Sequence, residues 1–313
     1  MNIPQLDLSN YLLGDDTIRE QFIQDLGSAF ENVGFVSVIN HGISQTLIDN
    51  VYKDVEVFFS LSDSSKKSYE IANLAGQRGY TSFGREHAKG SVTPDLKEFF
   101  QYGQPSSSSL DKSEYPDNVF VHDIDTFNSN LDAAFRSFEI AGSHLLEAIA
   151  TYLLLDQSFF SVHIHEGNSI LRAIHYPPIL QEPSSSIRAE QHEDINLITL
   201  LVGASADGLE ILSKDNEWLP VKAGPGAIVV NVGDMLQRLT NNKLKSTTHR
   251  VVNPPRELWS TSRYSIPFFL HPKSSMSLAC LPSCITEDSP KVYDDYTAGQ
   301  YLDERLIEIG LKK

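Results

Sequence analysis

Apolar positions repeat with different periods in the two halves of the chain. Ile18, Phe22, Ile23, Leu26, Ala29, Phe30 and Val33 recur at helical spacing, and Gly34 then opens Phe35-Val36-Ser37-Val38-Ile39, a strand stopped by Asn40-His41-Gly42. Ser44 is placed to cap a second helix whose buried stripe is Leu47, Ile48, Val51, Val55, Phe58 and Phe59. Between residues 72 and 120 the period is lost. Glycines 76, 79, 84, 90 and 103 and the run Pro105 to Ser109 predict long loops, of the kind that form lids or binding segments. A long helix is predicted from about Ile124 to Leu155, with Leu131, Phe135, Phe138, Leu145, Leu146 and Ile149 on its inner face.

After residue 168 short β-type runs take over: Ile170 to Tyr176, Leu197 to Val202, Leu209 to Leu212, Ala227 to Val232, His249 to Val252 and Tyr264 to Leu270. Runs of this length, broken by Pro, Gly, Asp and Asn, predict a sandwich or jelly roll and argue against a parallel α/β sheet. With no repeat, low-complexity tract or linker, residues 1–313 are expected to form one unit. A mostly helical region with loops covers 1–165, a β core 166–272 and a C-terminal segment 273–313.

Charge narrows the class of partner. The chain carries 41 acidic and 25 basic side chains, a formal charge of −16, so phosphate backbones and anionic lipid would repel it. No basic patch offsets this. The expectation is therefore no nucleic acid, no membrane, a small-molecule partner and a monomer. The N-terminus has no basic stretch followed by an apolar run, and no apolar stretch is long enough for a span, so a cytoplasmic protein is expected. Two cysteines, Cys280 and Cys284, are too few for a disulfide framework and are read as reduced thiols.

The most informative tripeptide is His192-Glu193-Asp194. On an extended segment residues two apart share a side, so His192 and Asp194 can reach one ion while Glu193 points away. His249, opening the strand-like His249-Arg250-Val251-Val252, is the candidate third ligand. Two imidazoles and one carboxylate leave open positions on an octahedral ion, which suits non-haem Fe(II) oxygen chemistry. Downstream, Arg263 and Ser265 share one strand face, where guanidinium and hydroxyl can grip a carboxylate. In the loop-rich region Gln77-Arg78-Gly79-Tyr80 offers Arg78 and Tyr80 as candidate substrate contacts. His163-x-His165 lies in a polar connection without a third ligand nearby, and His175 falls on the strand face opposite Tyr176.

The order His192, Asp194, His249, Arg263, Ser265 resembles that of the 2-oxoglutarate/Fe(II)-dependent oxygenase superfamily, and within it the isopenicillin N synthase-like branch. The likeness extends over nearly the whole chain, through Gly34 to Gly42, Asp95 to Phe100, His192 to Thr199, Asn231 to Asp234 and Ser246 to Val251. It implies a mainly β core, a double-stranded β-helix, with supporting α-helices mostly from the N-terminal half. It also implies His192, Asp194 and His249 as iron ligands at the catalytic centre, and Arg263 and Ser265 as the carboxylate clamp. Leu171 to Pro178 is similar to a strand and turn that many plant members write with an Asn-Tyr-Tyr-Pro-Pro core. There Tyr176 matches a tyrosine that touches cosubstrate or substrate carboxylate, while Ile174 replaces the Asn. The implied cofactors are Fe(II), 2-oxoglutarate and O2, and the implied reaction is oxidative decarboxylation of 2-oxoglutarate coupled to hydroxylation, desaturation or cyclisation at a substrate C–H bond.

Two alternatives stand beside this reading. Isopenicillin N synthase and aminocyclopropane carboxylate oxidase use the Arg-x-Ser pair without 2-oxoglutarate, although the tail Ile309 to Lys313 lacks the glutamine near the terminus of the former. More remote is a non-catalytic jelly-roll binding protein, which the presence of all three candidate ligands disfavours.

Overall fold

Strand formation follows the alternation of the sequence most clearly in Arg263–Leu270, where Ile266, Phe268 and Leu270 are buried on one face and Arg263, Ser265, Pro267 and Phe269 line a cavity on the other. The computed structural model describes residues 3–72, 74, 76–86, 94–105, 111–183, 186–203, 207–309 and 311–312. Its strands are β1 (Gln5–Asp7), β2 (Phe35–Ile39), β3 (Gly79–Thr81), β4 (Glu98–Gly103), β5 (Ile170–Tyr176), β6 (Ala189–His192), β7 (Ile198–Val202), β8 (Leu209–Leu212), β9 (Trp218–Pro220), β10 (Ile228–Val232), β11 (His249–Val251) and β12 (Arg263–Leu270). Eight of them form one sheet in the order β1-β2-β10-β7-β12-β5-β4-β3, and four form a second in the order β6-β11-β8-β9. All pairings are antiparallel except β1 with β2. Long crossings between the two sheets, with a cavity between them, make this the expected double-stranded β-helix.

The outer face of the larger sheet is covered by helices. Phe135 and Phe138 of the helix Phe127–Tyr152 meet Phe268 of β12 at centroid distances of 5.0 and 5.5 Å. Gly142 permits the close approach: a Cβ there would lie 2.9 Å from Leu270. The helices Asp16–Asn32 and Gln45–Ser60 complete this layer, and one apolar cluster joins Leu8 to Tyr301. No described helix is long and apolar enough to cross a membrane. Cys280 and Cys284 are free and buried.

The loop reading of residues 72 to 120 needs correction, because β3 and β4 lie within it. In β4 all six residues are buried, so Glu98 and Gln101 are enclosed as fully as Phe99 and Phe100 and the strand shows no polar face. The C-terminal segment carries a further helix, Ala298–Glu308, started by a capping box in which Thr297 accepts from the Gln300 amide and the Gln300 side chain accepts from the Thr297 amide.

Candidate active site

The pairing of β11 with β6 places His249 directly opposite His192, with ring centroids 4.4 Å apart. Asp194 follows two residues after His192, in the turn leading to β7. Its Oδ1 is 3.9 Å from His192 Nε2 and 3.7 Å from His249 Nε2, and the three ligand atoms lie within 4.8 Å of one another. Each group is oriented from behind. His192 Nδ1 is 2.6 Å from the Glu190 carbonyl and His249 Nδ1 is 3.1 Å from the Thr247 carbonyl. A carbonyl can only accept, so both Nδ1 atoms carry a proton and both Nε2 atoms are turned toward Asp194. The other carboxylate oxygen, Oδ2, accepts from Thr199 Oγ1 at 2.6 Å and Asn231 Nδ2 at 2.8 Å.

The surroundings shift His192 and Asp194 in the same direction. Burial, together with the charge His249 would carry, pushes His192 down to about 4 against the pull of Asp194. Burial of Asp194 opposes its ionisation, but His249, His192, Asn231 and Thr199 together hold its carboxyl below the ordinary range. Two imidazole Nε2 atoms and one carboxylate oxygen converging on one point suit a divalent cation of the Fe(II) type. Among the described residues, this is the cluster of His, Cys, Asp and Glu that could hold one. Glu193 turns instead to Thr248, whose hydroxyl donates to it.

The triad borders a cavity of about 700 Å3 between the sheets. At one end Arg263 pairs across the sheet with Tyr176, its guanidinium carbon 5.0 Å from the ring centroid, and Ser265 lies two residues further along β12. All three are buried and line the cavity. Behind them Arg188 lies 5.9 Å from the same ring and donates to the Thr261 carbonyl at 3.2 Å. Burial and the neighbouring Arg263 charge bring Arg188 down to about 10.

Arg78 and Tyr80 fall outside the cavity wall, contrary to the expectation of substrate contacts. Arg78 is buried with Nη1 donating to the Gln77 carbonyl, and its guanidinium packs so closely on Gly103 that a Cβ there has no room. Tyr80, on β3, donates its hydroxyl to Glu98, which also bonds His175 Nδ1 at 2.7 Å and Lys66 Nζ at 2.9 Å. These bonds join elements far apart in sequence, so local spacing could not disclose them. Gln77 lines the cavity in their place.

Several cavity residues do not stand out in the sequence. Lys97 Nζ bonds Glu86 at 2.7 Å and Asp95 at 2.8 Å, Arg172 Nη1 bonds Glu86 at 3.2 Å, and Arg172 Nε donates to Gln101 at 2.9 Å. Arg172 has the same strand parity as Tyr176, and this is the available signal. Leu302 and Leu306 of the helix Ala298–Glu308 and Ile309 just past its end close part of the wall, and the Tyr301 hydroxyl anchors the helix on Asp234 at 3.0 Å.

Residues 3–123 match the family described as non-haem dioxygenase in morphine synthesis N-terminal, and residues 167–272 match the 2OG-Fe(II) oxygenase superfamily. Proline hydroxylase buaE of Petromyces alliaceus is 31% identical, with 98% of this chain and 99% of that protein aligned. The chain belongs to the 2OG-Fe(II) oxygenase superfamily. It is similar in structure to a 2OG-Fe(II) oxygenase family protein from Caulobacter crescentus, with a TM-score of 0.88, 41% identity and coverage of 98% and 99% of the two chains. A full-length Neurospora crassa protein solved in complex with alpha-KG is similar as well, with a TM-score of 0.86, 27% identity and coverage of 97% and 96%. As a 2OG-Fe(II) oxygenase, the protein is an oxidoreductase of small molecules whose cofactors are Fe(II), 2-oxoglutarate and O2.

Proposed function

We propose that His192, Asp194 and His249 hold the iron of this 2OG-Fe(II) oxygenase, and that Arg263 and Ser265, with Tyr176 beside them, hold the distal carboxylate of 2-oxoglutarate. The observation that carries the reading is the convergence of two Nε2 atoms and one carboxylate oxygen within 4.8 Å, each tied from behind, on a cavity that also receives Arg263 and Ser265. Iron and 2-oxoglutarate supply the activation of O2, with loss of CO2 and formation of succinate. The chain's share is positional. Thr199 and Asn231 aim Asp194, the Glu190 and Thr247 carbonyls fix the imidazole tautomers, and Arg263 sets how far the cosubstrate reaches from the clamp toward the metal. The helix Ala298–Glu308 supplies apolar side chains that exclude water.

Oxidation of a C–H bond in a small organic molecule follows as the reaction, and the match to the non-haem dioxygenase N-terminal family supports placement in the isopenicillin N synthase-like branch. The same Neurospora crassa protein solved with alpha-KG and thymine, at 28% identity and TM-score 0.87, supports a compact substrate. Anaerobic loading with Fe(II), addition of 2-oxoglutarate and admission of O2 test the assignment. A visible metal-to-ligand charge-transfer band followed by succinate is expected. An iron-loaded protein that gives neither overturns it.

A further inference from the structure

The cavity has a second polar end. Arg172 lies four residues before Tyr176 on the same face of β5, about 13 Å along an extended strand from the proposed carboxylate clamp. On β12 the same face continues past Ser265 through Pro267 and Phe269 to His271. The Arg172 guanidinium is packed against two rings, 4.3 Å from the Phe99 centroid and 5.2 Å from that of Phe269. Its Nε and Nη1 are engaged by Gln101 and Glu86, and among the described residues Nη2 has no acceptor. His271 is 7% exposed, its Nδ1 has no partner, and burial pushes its imidazole down to about 4, so it is neutral and offers one donor and one acceptor.

The charges of this wall are balanced. Glu86 and Asp95 oppose Lys97 and Arg172, and every carboxylate oxygen of the pair is committed: those of Glu86 to Lys97 and Arg172, those of Asp95 to Lys97 and the Glu190 amide. Buried ion pairs do no more for stability than well-packed apolar residues of similar volume, so stability alone does not account for four charges on a cavity wall. A carboxylate bound here would leave an excess buried negative charge, and an ammonium would have to share the Glu86 and Asp95 oxygens with the donors they already accept from. What the wall leaves open is directional: N–H donors on Arg172, a neutral imidazole, and the ring of Phe269.

We infer that this end binds the substrate, and that the substrate is an uncharged planar compound bearing carbonyl acceptors and N–H donors, of the cyclic amide or imide class. A carbonyl accepts from Arg172 Nη2, the His271 imidazole meets a second polar atom, and the ring plane lies on Phe269. The inference rests on the proposed function, since it places the substrate at the end of the cavity away from the cosubstrate clamp.

The test uses the full chain with 2-oxoglutarate, loaded with Zn(II) for ligand-observed NMR and with Fe(II) for absorption. The probes are glutarimide, N-methylglutarimide and cyclohexanecarboxylate. Glutarimide is expected to bind, and N-methylation, Arg172→Gln and His271→Phe should each weaken it about tenfold, as expected for loss of a hydrogen bond to a buried group. The charge-transfer band should persist in both variants. Equal binding of the two imides, tighter binding of the carboxylate, or no glutarimide binding up to its solubility overturns the inference. If Arg172→Gln does not fold, the wild-type probe series and His271→Phe decide. Absence of the band in wild type refutes the cosubstrate assignment instead, so the two failures are distinguishable.

Discussion

Thr199→Val probes how the protein aims Asp194, the carboxylate proposed to bind the metal. Valine keeps the shape of threonine, but it removes the hydroxyl that donates to Asp194 Oδ2 at 2.6 Å. Thr199 is buried, and valine offers no donor in place of the lost hydroxyl. Asn196 keeps a second acceptor, the Ile198 carbonyl at 2.8 Å, so the damage centres on Asp194. A hydrogen bond to a buried charged group is worth about 1.5–3 kcal/mol, which sets the expected loss of stability in the metal-free protein. Metal affinity is expected to change separately: Asn231 then remains the side-chain donor to Asp194 Oδ2 among the described residues, and removing an outer-shell partner of a ligand costs about 10–100-fold in metal affinity. Chelator-competition titration under anaerobic conditions measures the second quantity and denaturant unfolding of the metal-free protein the first. Metal affinity within twofold of wild type, in a variant that has lost the expected stability, would refute the claim that this hydroxyl positions a ligand.

Three further outcomes follow from the same geometry. Arg263→Lys should raise the KM for 2-oxoglutarate by about tenfold or more despite its retained charge, because an ammonium cannot reproduce the planar fork, whereas Ser265→Ala should be milder; steady-state succinate formation measures both. Glu86→Gln should make stability less dependent on pH. Burial opposes ionisation of Glu86, but Arg172 and Lys97 overcome it and hold the carboxyl at about 2. Its folded value is therefore below its unfolded one, so its contribution is full above the unfolded value of about 4.5 and is lost as pH falls toward 2. The stability gap between wild type and Glu86→Gln should thus shrink below about pH 4.5, as read by urea unfolding across that range.

The sequence disclosed the fold best where short β-type runs are bounded by turn residues. The run Ile170 to Tyr176 coincides with β5 and the run Tyr264 to Leu270 starts one residue inside β12, and strand parity alone makes the shared face of Arg263 and Ser265 and the opposite setting of His175 readable. Strand β4 was hidden because it carries charge inside, Glu98 being satisfied by Lys66, Tyr80 and His175. The cluster is legible because two of its members are two residues apart and the third opens another strand-like segment, a choice the resemblance supports. Its supports are not, since Thr199 and Asn231 reach Asp194 only once β7 and β10 are side by side. Arg78 reads as a substrate contact from its place among glycines, yet one of those glycines, Gly103, is what lets the guanidinium pack into the interior.

The most direct measurement of the central claim is anaerobic titration of Fe(II) and 2-oxoglutarate into wild type and into His192→Ala, Asp194→Ala and His249→Ala, followed by admission of O2 and quantitation of succinate. The account predicts one iron per chain, a charge-transfer band and succinate in wild type, with sharply weakened iron binding and little or no band or succinate in each variant. Wild-type iron affinity and succinate yield in any one of the three would contradict it.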